Sequence, residues 1–121
     1  MKSNLVAAAL IAGAALLTPP SRAAGSASFD SRWSVVAKTE TGKCDPYLGY
    51  KLVIIGGRVL SPQASGVSGR VTPAGFVSVT IRGRGTVMGS GRLVGGDGSG
   101  RWTAQSPSGR CTGEWQAKRR A

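Results

Sequence analysis

Ser-Gly-Arg followed by a bulky or sulfur-bearing residue occurs four times in this chain. The copies are Ser68-Gly69-Arg70-Val71, Ser90-Gly91-Arg92-Leu93, Ser99-Gly100-Arg101-Trp102 and Ser108-Gly109-Arg110-Cys111. The last three begin nine residues apart, and the first precedes them by twenty-two. Nine residues make one short strand and one tight turn, so the repeat predicts a β-meander whose hairpins start alike. Successive side chains of a strand face opposite ways. Each Arg therefore lies outward, beside an inward-facing Val, Leu, Trp or Cys.

Glycine and proline punctuate the rest into eight short strands. They are expected at Phe29 to Lys38, Tyr47 to Ile55, Arg58 to Ser61, Val67 to Thr72, Phe76 to Arg82, Thr86 to Val94, Arg101 to Gln105 and Cys111 to Lys118. The turns between them include Gly56-Gly57, Pro73-Ala74-Gly75, Gly83-Arg84-Gly85, Gly95-Gly96-Asp97-Gly98 and Ser106-Pro107-Ser108-Gly109. Alternation assigns the faces. Tyr50, Leu52 and Ile54 share one face of the second strand, and Val77, Val79 and Ile81 one face of the fifth. Gly100, Trp102 and Ala104 share one face of the seventh, and Cys111, Gly113, Trp115 and Ala117 one face of the last. One apolar and one polar face is the signature of an antiparallel sheet solvated on one side.

The two cysteines argue for closure. In an eight-strand meander the first strand ends and the last begins at the same rim. Cys44 follows the first strand and Cys111 opens the last. A bridge between them staples the seam of a barrel and removes both free edges. The fold class expected is all-β, an eight-stranded antiparallel meander closed into a small barrel with one disulfide. A β-sandwich joined by the same bridge is the alternative.

The N-terminus reads as a secretory signal. Lys2 precedes the thirteen-residue apolar run Leu5 to Leu17, then Thr18-Pro19-Pro20, then the small residues Ser21 and Ala23 that suit cleavage after Ala23. The run is short for a retained membrane anchor. The expected organisation is a signal peptide at 1–23, a flexible N-terminus at 24–28, a barrel at 29–118 and a basic tail at 119–121. The chain then acts secreted or periplasmic, where a Cys44–Cys111 disulfide is the default state. From Ala24 onward it carries fourteen basic and five acidic side chains, a formal charge of +9.

Composition narrows the chemistry. The chain contains no His, which removes Ser-His-Asp and Cys-His catalysis and the usual zinc and haem ligands. The five carboxylates, Asp30, Glu40, Asp45, Asp97 and Glu114, are scattered. No enzyme, metal or cofactor is expected. Gly95-Gly96-Asp97-Gly98-Ser99-Gly100 lacks the following helix of a phosphate loop and the further acids of a calcium loop, and reads as a hairpin. Arg82-Gly83-Arg84-Gly85, a fragment of an arginine-glycine tract, likewise reads as a turn.

Two binding surfaces remain. Trp33, Trp102 and Trp115 fall on the inward face with Gly69, Gly89, Gly91, Gly100 and Gly113. Either the rings fill the space glycines leave, or they wall a cavity for a small apolar ligand, with Tyr50 beside them. Outside, Arg70, Arg92 and Arg110 are expected at one rim as anion-binding candidates for lipopolysaccharide, acidic polysaccharide or nucleic acid. A solvated surface that blocks edge pairing is the plain alternative.

Phe29-Asp30-Ser31-Arg32-Trp33-Ser34-Val35, Cys44-Asp45, Gly98-Ser99-Gly100-Arg101-Trp102 and Cys111-Thr112-Gly113-Glu114-Trp115 together resemble a group of small secreted hypothetical proteins of Gram-negative bacteria. The resemblance spans nearly the whole chain after the signal, with Ser31 where the group often has Gly. Some members carry names suggesting haem utilisation or adhesion. Here a haem would have only Tyr47, Tyr50 and Met88 as ligand types. The architecture is also similar to lipocalin, avidin and lysozyme-inhibitor barrels, though +9 would repel a basic lysozyme. The function expected is a secreted, non-enzymatic binding module contacting anionic polymers or envelope components through its basic surface. The alternatives are a carrier of a small apolar ligand in the Trp-lined interior and a purely structural envelope protein.

Overall fold

The computed structural model describes residues 29–120. The expected signal peptide at 1–23 and flexible segment at 24–28 lie outside the described residues, as does position 121. The strands are β1 (Ser31–Thr41), β2 (Tyr47–Ile55), β3 (Arg58–Leu60), β4 (Val67–Val71), β5 (Phe76–Arg82), β6 (Thr86–Val94), β7 (Asp97–Ser106) and β8 (Gly109–Arg120). They follow one another round a closed barrel, and β8 returns to pair with β1. The barrel alternative holds and the sandwich does not.

The seam carries one of the longest pairings. β8 lies antiparallel to β1 from Arg32↔Arg120 to Thr41↔Thr112, with a register shift between Thr39 and Thr41. The extra residue there, Glu40, bends β1 toward the cysteines, as a bulge does. Gly42 follows with φ 94°, and a side chain on it would collide with the Arg110 carbonyl and Cys111. Only glycine lets the chain turn that close to β8. Cys44 and Cys111 are then bonded across the seam. The expected basic tail is corrected here. Arg119 and Arg120 pair with Trp33 and Arg32, so the chain stays in the sheet through Arg120. The reason is the length of β1, eleven residues, which supplies partners for β8 from Thr112 through Arg120.

The Ser-Gly-Arg copies keep the predicted parity but not the predicted position. The residue after each Arg is buried: Val71, Leu93, Trp102 and Cys111. Only the copy at Ser108 opens a strand. Ser90-Gly91-Arg92 lies late in β6, and it pairs antiparallel with Ser99-Gly100-Arg101 of β7, centred on Gly91↔Gly100. The turn before β7 is accordingly tighter than expected. Gly95-Gly96 alone forms it, and Asp97 and Gly98 already pair with Lys118 and Ala117.

Strand polarity gives the barrel two unlike ends. One end holds the disulfide, the β1–β2 loop and the β3–β4 loop. The other holds Phe29, which precedes β1, and the Gly56-Gly57 and Gly95-Gly96 turns. Phe29 was expected to open the first strand. Instead it folds across the second end, where it accepts a hydrogen bond from Trp33 Nε1 at 3.0 Å. A Cβ on Gly75, in the β4–β5 turn, would come within 3.2 Å of its ring. The next residue, Asp30, holds the β2–β3 turn by accepting the Gly56 amide at 2.7 Å and the Gly57 amide at 3.3 Å. Trp33, Ile54, Val59, Val71, Val77, Leu93 and Ala117 pack beneath Phe29, all buried. This end is stopped by its own core.

Candidate functional site: an apolar interior open at one end

The inward residues toward the disulfide end are only half-buried. Leu48 and Tyr50 of β2, Ile81 of β5, Val87 of β6 and Ala104 of β7 face the interior there without being covered. A pocket of about 190 Å³ runs into the barrel at this end. Its wall includes Val35, Leu52, Val79, Gly89 and the disulfide-bonded Cys44, together with all three tryptophans, and its floor reaches Ile54, Val59, Val77, Leu93 and Ala117 beneath Phe29. A barrel of eight strands is just wide enough either to be filled by side chains or to hold one small ligand. In this one Phe29 covers one end, and the space above the core opens at the other.

The tryptophan rings both pack on inward glycines and border the pocket. Trp115 lies on the Gly91↔Gly100 pair: a Cβ at Gly91 would stand 2.6 Å from its Cζ2, and one at Gly100 2.7 Å from its Cε2. Its indole N–H donates to the Ser90 carbonyl at 3.1 Å. Trp102 lies on Gly113, where a Cβ would stand 2.8 Å from its Nε1. That N–H donates to the carbonyls of Glu114 at 3.1 Å and Lys38 at 3.2 Å. Glycines under the rings let them lie flat, and the hydrogen bonds satisfy the buried N–H groups that a tryptophan carries into a core. Gly89 is different. A Cβ there would find its nearest neighbours at 3.7–3.9 Å, ordinary contact, because Gly89 borders the pocket.

Tyr50 is where the alternation placed it, on the pocket wall, and burial pushes its phenol above its ordinary pKa. Tyr47 is 64% exposed and Met88 58% exposed, both on the outer wall. The three side chains that would ligate a haem thus do not converge.

The anion-binding candidates divide. β4 and β6 run from the disulfide end to the Phe29 end, and Arg70 and Arg92 lie in their later halves. Arg110 is the second residue of β8 and stands opposite Gln105 at the disulfide end. The expected common rim of Arg70, Arg92 and Arg110 is therefore corrected, since only Arg110 begins a strand. Arg58 stands directly opposite Arg70 instead. That pairing was not legible, because β3 is three residues long and its register depends on the loop that follows. Arg101 is engaged with Glu40 at 2.8 Å and Glu114 at 3.5 Å. Its guanidinium holds the exposed Glu40 carboxyl below the usual range.

No protein-family model, curated protein or solved structure matches this chain.

Proposed function

We propose that the protein is a non-enzymatic binder of a small, uncharged, apolar molecule held in the barrel interior. One observation carries this reading: an interior stopped at one end, open at the other, and lined almost wholly by carbon. Apolar cavities of about 150 Å³ stay dry and take up benzene-sized guests. The pocket here, about 190 Å³, suits a single ring with a short alkyl arm. It is smaller than the usual range for drug-sized ligands, roughly 300–1,000 Å³, and has no room for a porphyrin. The wall offers neither an ionised acid nor a base, which supports binding without chemical conversion. The disulfide and the polar outward positions, among them Ser34, Lys38, Ser78, Thr80, Thr103 and Gln116, suit a carrier in an oxidising compartment.

Trp33, Trp102 and Trp115 are the only tryptophans, and all border the pocket, so intrinsic fluorescence reports occupancy directly. Titration with benzene, toluene, ethylbenzene and propylbenzene is expected to give affinities that rise about four-fold per added carbon, the worth of a buried methylene, until the pocket is full. The affinity holds from low to high salt, because burial of an apolar guest is not screened. Gly89→Val sets a Cβ at ordinary contact distance on the pocket wall, and its two methyl groups take up pocket volume. It is expected to leave stability within about 1 kcal/mol of the parent while abolishing the fluorescence response. Absence of any response across the series, or affinities that collapse with salt, would contradict this reading.

A further inference from the structure

The Phe29 end carries a surface that guest binding does not use. Register places Ile55 opposite Arg58, Arg58 opposite Arg70, and Phe76 opposite Arg92. Phe76 precedes Ser78, the partner of Arg70, by one step on the same face of β5. Val94 follows Arg92 by one step on the outer face of β6. The outer wall at this end therefore brings three arginines together with apolar side chains on both flanks. The apolar members are open to solvent: Ile55 58%, Phe76 55% and Val94 66% exposed. Ile55 and Val94 flank turns made of glycine alone, Gly56-Gly57 and Gly95-Gly96, so their side chains are what those tips present.

The charges of this patch are not balanced among the described residues. Arg58 and Arg70 stand directly opposite one another, an arrangement that costs stability in a sheet, and among the described residues neither has a carboxylate ion pair. The two acids of this end are already engaged. Asp30 holds the Gly56 and Gly57 amides, and Asp97 pairs with Lys118 at 2.6 Å. Arg92 lies over the Phe76 ring, 4.8 Å from its centroid, which holds cation and apolar surface together. A polyanion in water would neutralise the arginines and leave Ile55, Phe76 and Val94 wet. An anionic lipid surface receives both, phosphates at the guanidinium groups and acyl boundary at the apolar side chains.

We infer that the Ile55–Arg58–Arg70–Phe76–Arg92–Val94 wall docks on an anionic lipid membrane surface. The docking surface lies at the stopped end, so the pocket mouth stays in water, and the inference does not rest on the guest-binding reading.

The test is co-sedimentation of the chain from Ala24, which contains every strand of the closed barrel, with vesicles of phosphatidylcholine alone or mixed with phosphatidylglycerol. Binding is expected only to the mixed vesicles and weakens with salt. Arg58→Ser/Arg70→Ser/Arg92→Ser is expected to lower it on the order of 100-fold, a few-fold for each arginine near the surface. Arg82→Ser/Arg84→Ser/Arg110→Ser removes the same charge from the disulfide end and is expected to change it by only about two-fold, the part owed to net charge. Phe76→Ser/Val94→Ser is expected to weaken vesicle binding about ten-fold, the worth of two partly inserted side chains, and to leave binding to heparin unchanged. Thermal melts establish that each variant folds. If the first triple does not fold, the apolar pair and the opposite-end triple decide. Equal loss from the two arginine triples would overturn the proposal in favour of bulk charge. Vesicle binding indifferent to Phe76→Ser/Val94→Ser would overturn it in favour of a soluble polyanion. No binding to the mixed vesicles would overturn it outright.

Discussion

Reduction of Cys44–Cys111 is expected to lower the melting temperature by roughly 20 °C. The bond joins residues 67 apart in sequence. Closing a loop of that length removes about 4 kcal/mol of chain entropy from the unfolded state. In a domain of this size each kcal/mol moves the melting temperature by about 4–8 °C. The bond also sits where the barrel closes. β1 and β8 are the first and last strands, so their pairing is the contact of longest sequence separation and the most expensive to form without a tether. Differential scanning calorimetry with and without reductant measures the shift. A shift below about 5 °C would mean that the β1–β8 ladder holds the seam without the bridge. The same experiment on Cys44→Ala/Cys111→Ala separates the tether from the reductant. In that variant Cys111, buried, leaves a small void in addition, so the loss is expected to be slightly larger.

The second large effect is expected at the glycines beneath the rings. At Gly113 a Cβ would run into the Lys38 backbone carbonyl and Trp102 Nε1. The carbonyl belongs to β1, so the clash pushes directly on the seam. It also displaces the indole from the two carbonyls it binds. Gly113→Val is expected to destabilise by about 3 kcal/mol, the upper part of the range for overpacking, because the obstructing atom is backbone and cannot turn aside. Gly100→Val is expected to behave alike against Trp115 and the Gly91 backbone. Urea unfolding of Gly113→Val, Gly100→Val and Gly89→Val forms an internal comparison. Three substitutions of one kind on one inner wall should separate into two severe losses and one near-neutral change. Equal losses at all three would mean that the interior is filled throughout and has no pocket.

This division also marks where sequence reading stops. The strands and their faces were legible because period-two alternation and glycine turns are local signals. The bridge was legible because a meander of even strand number brings its two ends to one rim. Which glycines lie under a ring was not legible. Gly91 and Gly100 meet only through the β6–β7 register, and Trp115 reaches them from β8, two strands from Gly91. Arg70, Arg92 and Arg110 look equivalent in sequence because each follows Ser-Gly. Their height on the barrel depends on how far the strand has run before the repeat begins. β6 runs six residues before Arg92, whereas β8 runs one before Arg110. The Phe29 plug was hidden for a related reason. Phe29 continues the alternation of β1, so nothing local distinguishes a last strand residue from a side chain folded across the barrel end.

The pocket itself is a difference between two volumes, that enclosed by eight strands and that filled by the rings and aliphatic side chains. Alternation fixes which residues face inward but not how completely they fill the interior. Tyr50 shows the limit well. Its inward side was assigned from Leu52 and Ile54, while its depth depends on how the neighbouring β1 residue Val35, its cross-strand partner, packs.

The account stands or falls on whether the open half of the barrel takes up an apolar guest. The most direct measurement is a methyl-resolved NMR titration with benzene. The account predicts fast-exchange shifts at residues that line the pocket, Val35, Leu48, Val79, Ile81, Val87 and Ala104, which saturate, with Val67 and Val71, which do not line it, unmoved. The Gly89→Val chain is predicted to show none of them. Methyl shifts absent from these lining residues at saturating benzene, or equally large at Val67 and Val71, would contradict it.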